Sequence, residues 1–216
     1  MKAIRWGGGA VTLNIDDALR YLGVKIPDAS LRAQMSSLAE EVQSRIPPRS
    51  AWVLIEKSRL DLPGKMAERM LADCQQCAVL VCTLGMEFDL WVRREQMRDM
   101  ARAAMLDALG SAYIESACDA AEEAIRARLP GLYLTDRFSP GYGDLPLDVQ
   151  PALLALAGGS RIGVTLTEAL LLNPQKSVTA IVGVADRPQM ARIRGCAYCA
   201  LNQTCPYRKA GTTCHV

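Results

Sequence analysis

Apolar residues fall along this chain at two spacings, one helical and one strand-like, and the changes between them mark out the elements. Residues 15–23 predict a short helix that Asp16 caps, with Gly23 where a helix end favours glycine. Leu31, Met35, Leu38 and Val42 share one face and predict a helix over 29–45, stopped by Pro47-Pro48. Trp52, Val53, Leu54 and Ile55 form an unbroken apolar run in a strand over 51–56, and a second buried strand over 77–84 follows a helix over 64–74.

Phe88, Trp91, Val92, Met100, Ala104 and Met105 lean one way and predict a long helix over 87–109. Ile114, Ala117, Cys118, Ala121 and Ile125 give the stripe of another that starts at Ser111, and Gly110 between them suggests an antiparallel pair. A short strand over 132–135, a helix over 146–156 with Asp148 and Gln150 exposed, and a stretch over 163–172 that begins extended and turns helical come next. The last strand covers 177–184. This order of elements favours α+β over regular βαβ alternation: a mainly antiparallel sheet with a long helix pair and flanking helices, followed by a Cys-rich C-terminal tail.

Composition narrows the function classes. At 216 residues, half of them hydrophobic, the chain can fill one globular domain, and 5% aromatic content leaves its core to Ala, Leu, Val, Ile and Met. A net charge of +2 gives no nucleic-acid footprint. No apolar run approaches the roughly 18–20 residues that cross a bilayer, and the start carries no signal-peptide pattern, so a cytoplasmic protein with no membrane partner is expected. Gly7-Gly8-Gly9 lacks the Gly-Lys-Ser/Thr of a phosphate loop, and His215, the one histidine, removes histidine-based catalytic triads.

Arg137-x-x-x-Gly141-Tyr142 carries the most chemistry. Pro140-Gly141 suits the two central positions of a type II turn, Pro fixing φ at the first and Gly accepting positive φ at the second. Such a glycine lets a ligand approach the main chain. Arg137 offers a planar fork for a carboxylate, and Tyr142 a ring and a hydroxyl. The same pattern also describes a surface turn with an Arg–acid pair.

The sequence from Leu132 through Gln150, which holds that loop, with Leu166-Thr167-Glu168-Ala169 and Asn173-Pro174-Gln175-Lys176-Ser177-Val178-Thr179, resembles the activation domain of cobalamin-dependent methionine synthase. Leu19-Arg20-Tyr21-Leu22-Gly23 and Thr83-Leu84-Gly85 are similar to its small stand-alone members. The resemblance runs to about Val184 and includes a Leu-Thr-Glu helix start. It implies an S-adenosylmethionine site at Arg137, Gly141 and Tyr142, with Glu115 as the matching acid on the long helix. A carboxylate there suits the ligand's sulfonium and ammonium groups; the plain alternative is a solvated carboxylate beside the apolar stripe. Two family features are missing: the tyrosine-bearing segment after the Ser-Val strand, where Ala185-Asp186-Arg187-Pro188 stands, and an acid near the domain's beginning.

The resemblance further implies cobalamin reached only through a partner, a corrinoid protein or B12-dependent methyltransferase, with flavodoxin or ferredoxin as electron donor. The role implied is support of reductive remethylation; the chain has no room for a complete methionine synthase, and no catalytic residue of its own is expected.

From Asp186 onward the character changes to five Lys/Arg against one Asp, which divides the chain into 1–185 and a basic tail, 186–216. Cys196-x2-Cys199-x5-Cys205-x8-Cys214 has four soft ligands able to hold zinc or an iron–sulfur cluster, and free thiols or disulfides remain alternatives. An alternative function follows, a metal- or iron–sulfur-binding redox accessory protein. Cys74-x2-Cys77 falls at a helix end entering a strand and reads as structural, because redox pairs sit at helix N-termini.

Overall fold

The computed structural model describes residues 5–7, 11–24, 26–189, 203–204 and 209. Its elements are β1 (Arg5–Gly7), α1 (Ile15–Tyr21), α2 (Ala29–Arg45), β2 (Arg49–Glu56), α3 (Lys65–Met70), β3 (Gln76–Thr83), α4 (Met86–Gln96), α5 (Met100–Arg126), β4 (Tyr133–Leu134), α6 (Gln150–Ala157), β5 (Thr165–Leu166), β6 (Leu172–Asn173) and β7 (Ser177–Ala185). Five strands make one sheet in the order β1-β2-β3-β7-β4, each neighbouring pair antiparallel, and β5 pairs with β6 in a separate hairpin. The α+β expectation holds.

Strand alternation divides the core. Trp52, Ala78, Leu80, Cys82, Ala180 and Val182 face α1, α2, α4 and α5. Ala51, Val53, Ile55, Cys77, Val79, Val81 and Ile181 face α3 and α6. β3 lies at the centre and is buried on both faces, which is why residues 77–82 are apolar without a break.

Helix starts are fixed by acceptors in the sequence. Asp28 takes the Leu31 N–H at 2.7 Å and starts α2. Asn14, rather than Asp16, caps α1, accepting from the Asp16 and Asp17 N–H groups at 3.0 and 3.3 Å.

Three further expectations are corrected. The long helices do not divide at Gly110: α4 ends at Gln96, Asp99 takes the Arg102 N–H at 3.1 Å, and α5 runs unbroken to Arg126. Gly110 is instead a packing hole, since a Cβ there would lie 2.4 Å from the Phe88 ring. Residues 163–172 do not turn helical but enter the β5–β6 hairpin, closed where Thr167 O accepts from Leu170 N–H and Thr167 N–H donates to Leu171 O. Gln150 is buried, because its Oε1 accepts from Thr179 Oγ1 at 2.8 Å.

No helix among the described residues is long and apolar enough to cross a membrane. Most of the 186–216 tail lies outside the described residues.

Candidate functional site

The segment after β4 continues along the outer edge of β7. Thr135 N–H donates to Gly183 O at 3.0 Å, and Phe138 and Ile181 exchange both main-chain bonds at 3.0 and 2.8 Å. Extended backbone sends neighbouring side chains to opposite faces. Phe138 enters the α3/α6 core, 3% exposed, so Arg137 points to the other face, where α5 lies.

On α5 it meets a row of acids at i, i+4 and i+7. Arg137 Nη2 donates to Glu115, and Nη1 to Asp119 and Glu122, each at 2.5 Å. The row forms because residues spaced three and four apart share one helix face. The Arg137 and Glu122 side chains are 10% and 12% exposed, whereas Glu115 and Asp119 reach solvent at 44% and 63%. One guanidinium among three carboxylates leaves the cluster net negative.

Burial opposes the charge on Arg137, yet its pKa is raised, because its neighbours outweigh that cost. Cys118, behind the cluster, is held well above its ordinary pKa by its hydrogen bond with Cys82 and by burial. It stays a neutral thiol, so the stabilising charge on Arg137 comes from the carboxylates. Tyr21, at the end of α1, is 57% exposed. Its hydroxyl pKa is raised by burial and then by the Glu115 carboxylate.

The loop beyond Arg137 forms the expected turn. Tyr142 N–H donates to Ser139 O at 3.1 Å, with Pro140 first of the central pair and Gly141 second at φ +83°. Tyr142 is 60% exposed. Asp144 ties the loop's far side to α3, accepting from the Lys65 and Met66 N–H groups at 2.7 and 3.0 Å. These bonds, that to Met66 first, lower the Asp144 pKa. They also supply the cap that Gly64 lacks.

Arg137 and Glu115 therefore come together, and Gly141 and Tyr142 follow on the same tethered loop. The Arg–acid pair allowed by the sequence is present threefold, and these bonds use three of the five N–H groups of the Arg137 guanidinium. Asp119 and Glu122 escaped the sequence reading. The i, i+4, i+7 spacing from Glu115 was visible, but nothing local shows that Arg137 lands on that face.

Cys196, Cys199, Cys205 and Cys214 lie outside the described residues. Among the described residues no group of three or more His, Cys, Asp or Glu is arranged to hold a metal. Cys74 and Cys77 are buried free thiols, and burial, with Cys74 adding to it, pushes Cys77 up to about 12. They behave as core residues.

No family model matches the chain, and no curated protein matches it. Among solved structures it is similar to the MetH reactivation domain bound to AdoHcy, with a TM-score of 0.66 and 13% sequence identity, over 98% of this chain and 87% of that chain. At that identity the likeness is one of fold.

Proposed function

We propose that the chain is an S-adenosylmethionine-binding accessory protein that supports reductive remethylation of a corrinoid methyltransferase. The observation that carries the reading is the Arg137–Glu115–Asp119–Glu122 cluster, whose Arg137 lies three residues before Pro140–Gly141 in the chain. It stands in a fold shared with a reactivation domain that was solved with AdoHcy, the demethylated form of that donor.

The chemistry of the cluster fits the ligand. S-adenosylmethionine carries a sulfonium, an ammonium and a carboxylate. Glu115 and Asp119, solvent-facing and held in place by Arg137, offer negative charge to the two cationic groups. Arg137 accepts the ligand carboxylate by exchanging one internal acid for it, with Glu122 retaining the buried side of the guanidinium. Gly141 at φ +83° serves the turn, with Leu147 3.2 Å from where its Cβ would stand, and the exposed Tyr142 ring offers a stacking face.

When bound, the donor supplies an electrophilic methyl group, and a corrinoid on a partner supplies the nucleophile. The contribution of this chain is positioning, and no general base is needed. We assign ligand binding to residues 1–185 and treat the basic tail as a separate region. A zinc or iron–sulfur role for its cysteines rests on their spacing alone.

Calorimetric titration of anaerobically prepared protein with S-adenosylmethionine tests the reading. Saturable binding that weakens by roughly 1.5–3 kcal/mol in Glu115→Gln, through loss of a charged contact, is the expected result. No heat at millimolar ligand, or equal binding by the variant, overturns the site assignment.

A further inference from the structure

α4 is apolar on two opposite sides. Phe88 and Trp91 face the core at 0% and 4% exposure. On the far side Met86 and Leu90 are each 41% exposed and Met97, at the helix end, 82%. At 3.6 residues per turn, Met86, Leu90, Arg93 and Met97 fall within about 60° of arc, a single outward row. Met100, 66% exposed, extends the row past the turn into α5. The core has already taken the inward face, so packing among the described residues gives no reason for this second one.

Charge completes the surface. Arg93 within the row and Arg94 and Arg98 beside it are exposed, and no carboxylate among the described residues pairs with them. The nearby Arg102, by contrast, is held by Glu41 at 2.7 Å and Glu95 at 3.6 Å. The Met100 end of the row lies away from the Arg137 cluster. Met100 and Glu115 are separated by fifteen residues of continuous helix, about 22 Å at 1.5 Å per residue.

We propose that the outer face of α4 is a docking surface for an acidic partner protein. An apolar row on the partner packs against Met86, Leu90, Met97 and Met100, and carboxylates flanking it meet Arg93, Arg94 and Arg98. Methionine suits this use because its unbranched, polarisable side chain adapts to the surface it meets. Paired rim charges supply steering and orientation.

Two other occupants fit less well. A lipid surface favours aromatic anchors on the outer face. Here both aromatics of α4 point inward, and exposed Glu87 and Asp99 stand at the two ends of the row. A twofold contact of the face with itself would set arginines against arginines. The inference does not depend on the proposed ligand of the Arg137 site.

The methionine methyl groups report directly on this face. The full chain, carrying 13C-methyl methionine, is titrated with a short helical peptide that presents a leucine row flanked by glutamates. A peptide with lysines in place of the glutamates and vesicles of phosphatidylglycerol and phosphatidylcholine serve as the other arms. The acidic peptide should saturably shift the Met86, Met97 and Met100 signals. The buried Met35, Met66 and Met70 should stay in place and report an intact fold. Joint Arg94→Glu and Arg98→Glu substitution should weaken the response by about tenfold or more, and added salt should weaken it too. Three results overturn the proposal: no shift at those three methyls, an equal shift with the lysine peptide, or a response indifferent to charge reversal. Stronger shifts with the anionic vesicles would reassign the face to a lipid surface.

Discussion

Arg137 is a buried cation whose three carboxylates also serve the fold. Glu122, beside it, is 12% exposed and has little water to take over if the guanidinium is removed. Breaking a buried ion pair from one side leaves an uncompensated charge, at a cost of about 3–5 kcal/mol. We expect Arg137→Ala to lower the unfolding free energy in urea at neutral pH by about 3 kcal/mol, the three acids then repelling one another. Adding Glu122→Gln should recover part of that loss, and Glu115→Gln alone, on a half-exposed side chain, should cost little. A loss below about 1 kcal/mol for Arg137→Ala, the range of surface pairs, would mean that water already screens the cluster. The distinction bears on function, since loss of ligand in Arg137→Ala has two causes whereas loss in Glu115→Gln has one.

At the scale of elements, α5 is the beam on which the site is built, and Gly110 is the point where α4 crosses it. A methyl group at Gly110 would meet the Phe88 ring at 2.4 Å and Lys176 Cε at 3.3 Å. Helix propensity favours alanine over glycine by about 1 kcal/mol, so the sign of Gly110→Ala measures which effect wins. Overpacking of a ring at that distance costs about 1–3 kcal/mol, and we expect a net fall in Tm that Phe88→Leu in the same chain relieves. A rise in Tm for Gly110→Ala alone would show that Phe88 moves aside freely. The same glycine explains a misreading. Glycine usually marks the end of a helix, and the sequence holds no sign that this one accommodates a ring from another element. The actual break, after Gln96, is announced only by the Asp99 cap. The strands were easier to read, because burial of β3 on both faces writes an unbroken apolar run into residues 77–82. Leu166-Thr167-Glu168 was harder: Thr167 closes a hairpin turn through backbone and hydroxyl bonds, and Leu170 takes φ +61° there, which no local propensity suggests. In the site, Arg137, Gly141, Tyr142 and Glu115 came from a motif resemblance. Asp119 and Glu122 join them only through the way α5 and the β7 edge pack.

For the molecule as a whole, the two cores lie on either side of one sheet, and every buried hydrophobic residue among those described falls between Leu13 and Ala185. β7 both completes the sheet and carries the chain out of it. Ile181 and Gly183 hold the Arg137 segment, and Ala185 pairs with Tyr133 at the strand's end. At about 3.3 Å per residue, the start of the 186–216 region lies roughly 15 Å along the strand from the backbone beside Arg137. A chain ended after Gln189 separates two roles for that region. If both cores are complete without it, the shortened chain should unfold cooperatively with a Tm within about 2–4 °C of the parent, corresponding to less than about 1 kcal/mol for a domain of this size. If the ligand site is also complete, its S-adenosylmethionine affinity should stay within about twofold, which is less than about 0.5 kcal/mol. Retained stability with lost affinity would mean that the region reaches back to complete the site. Loss of cooperative unfolding would show that the division at 185 cuts through a folding unit.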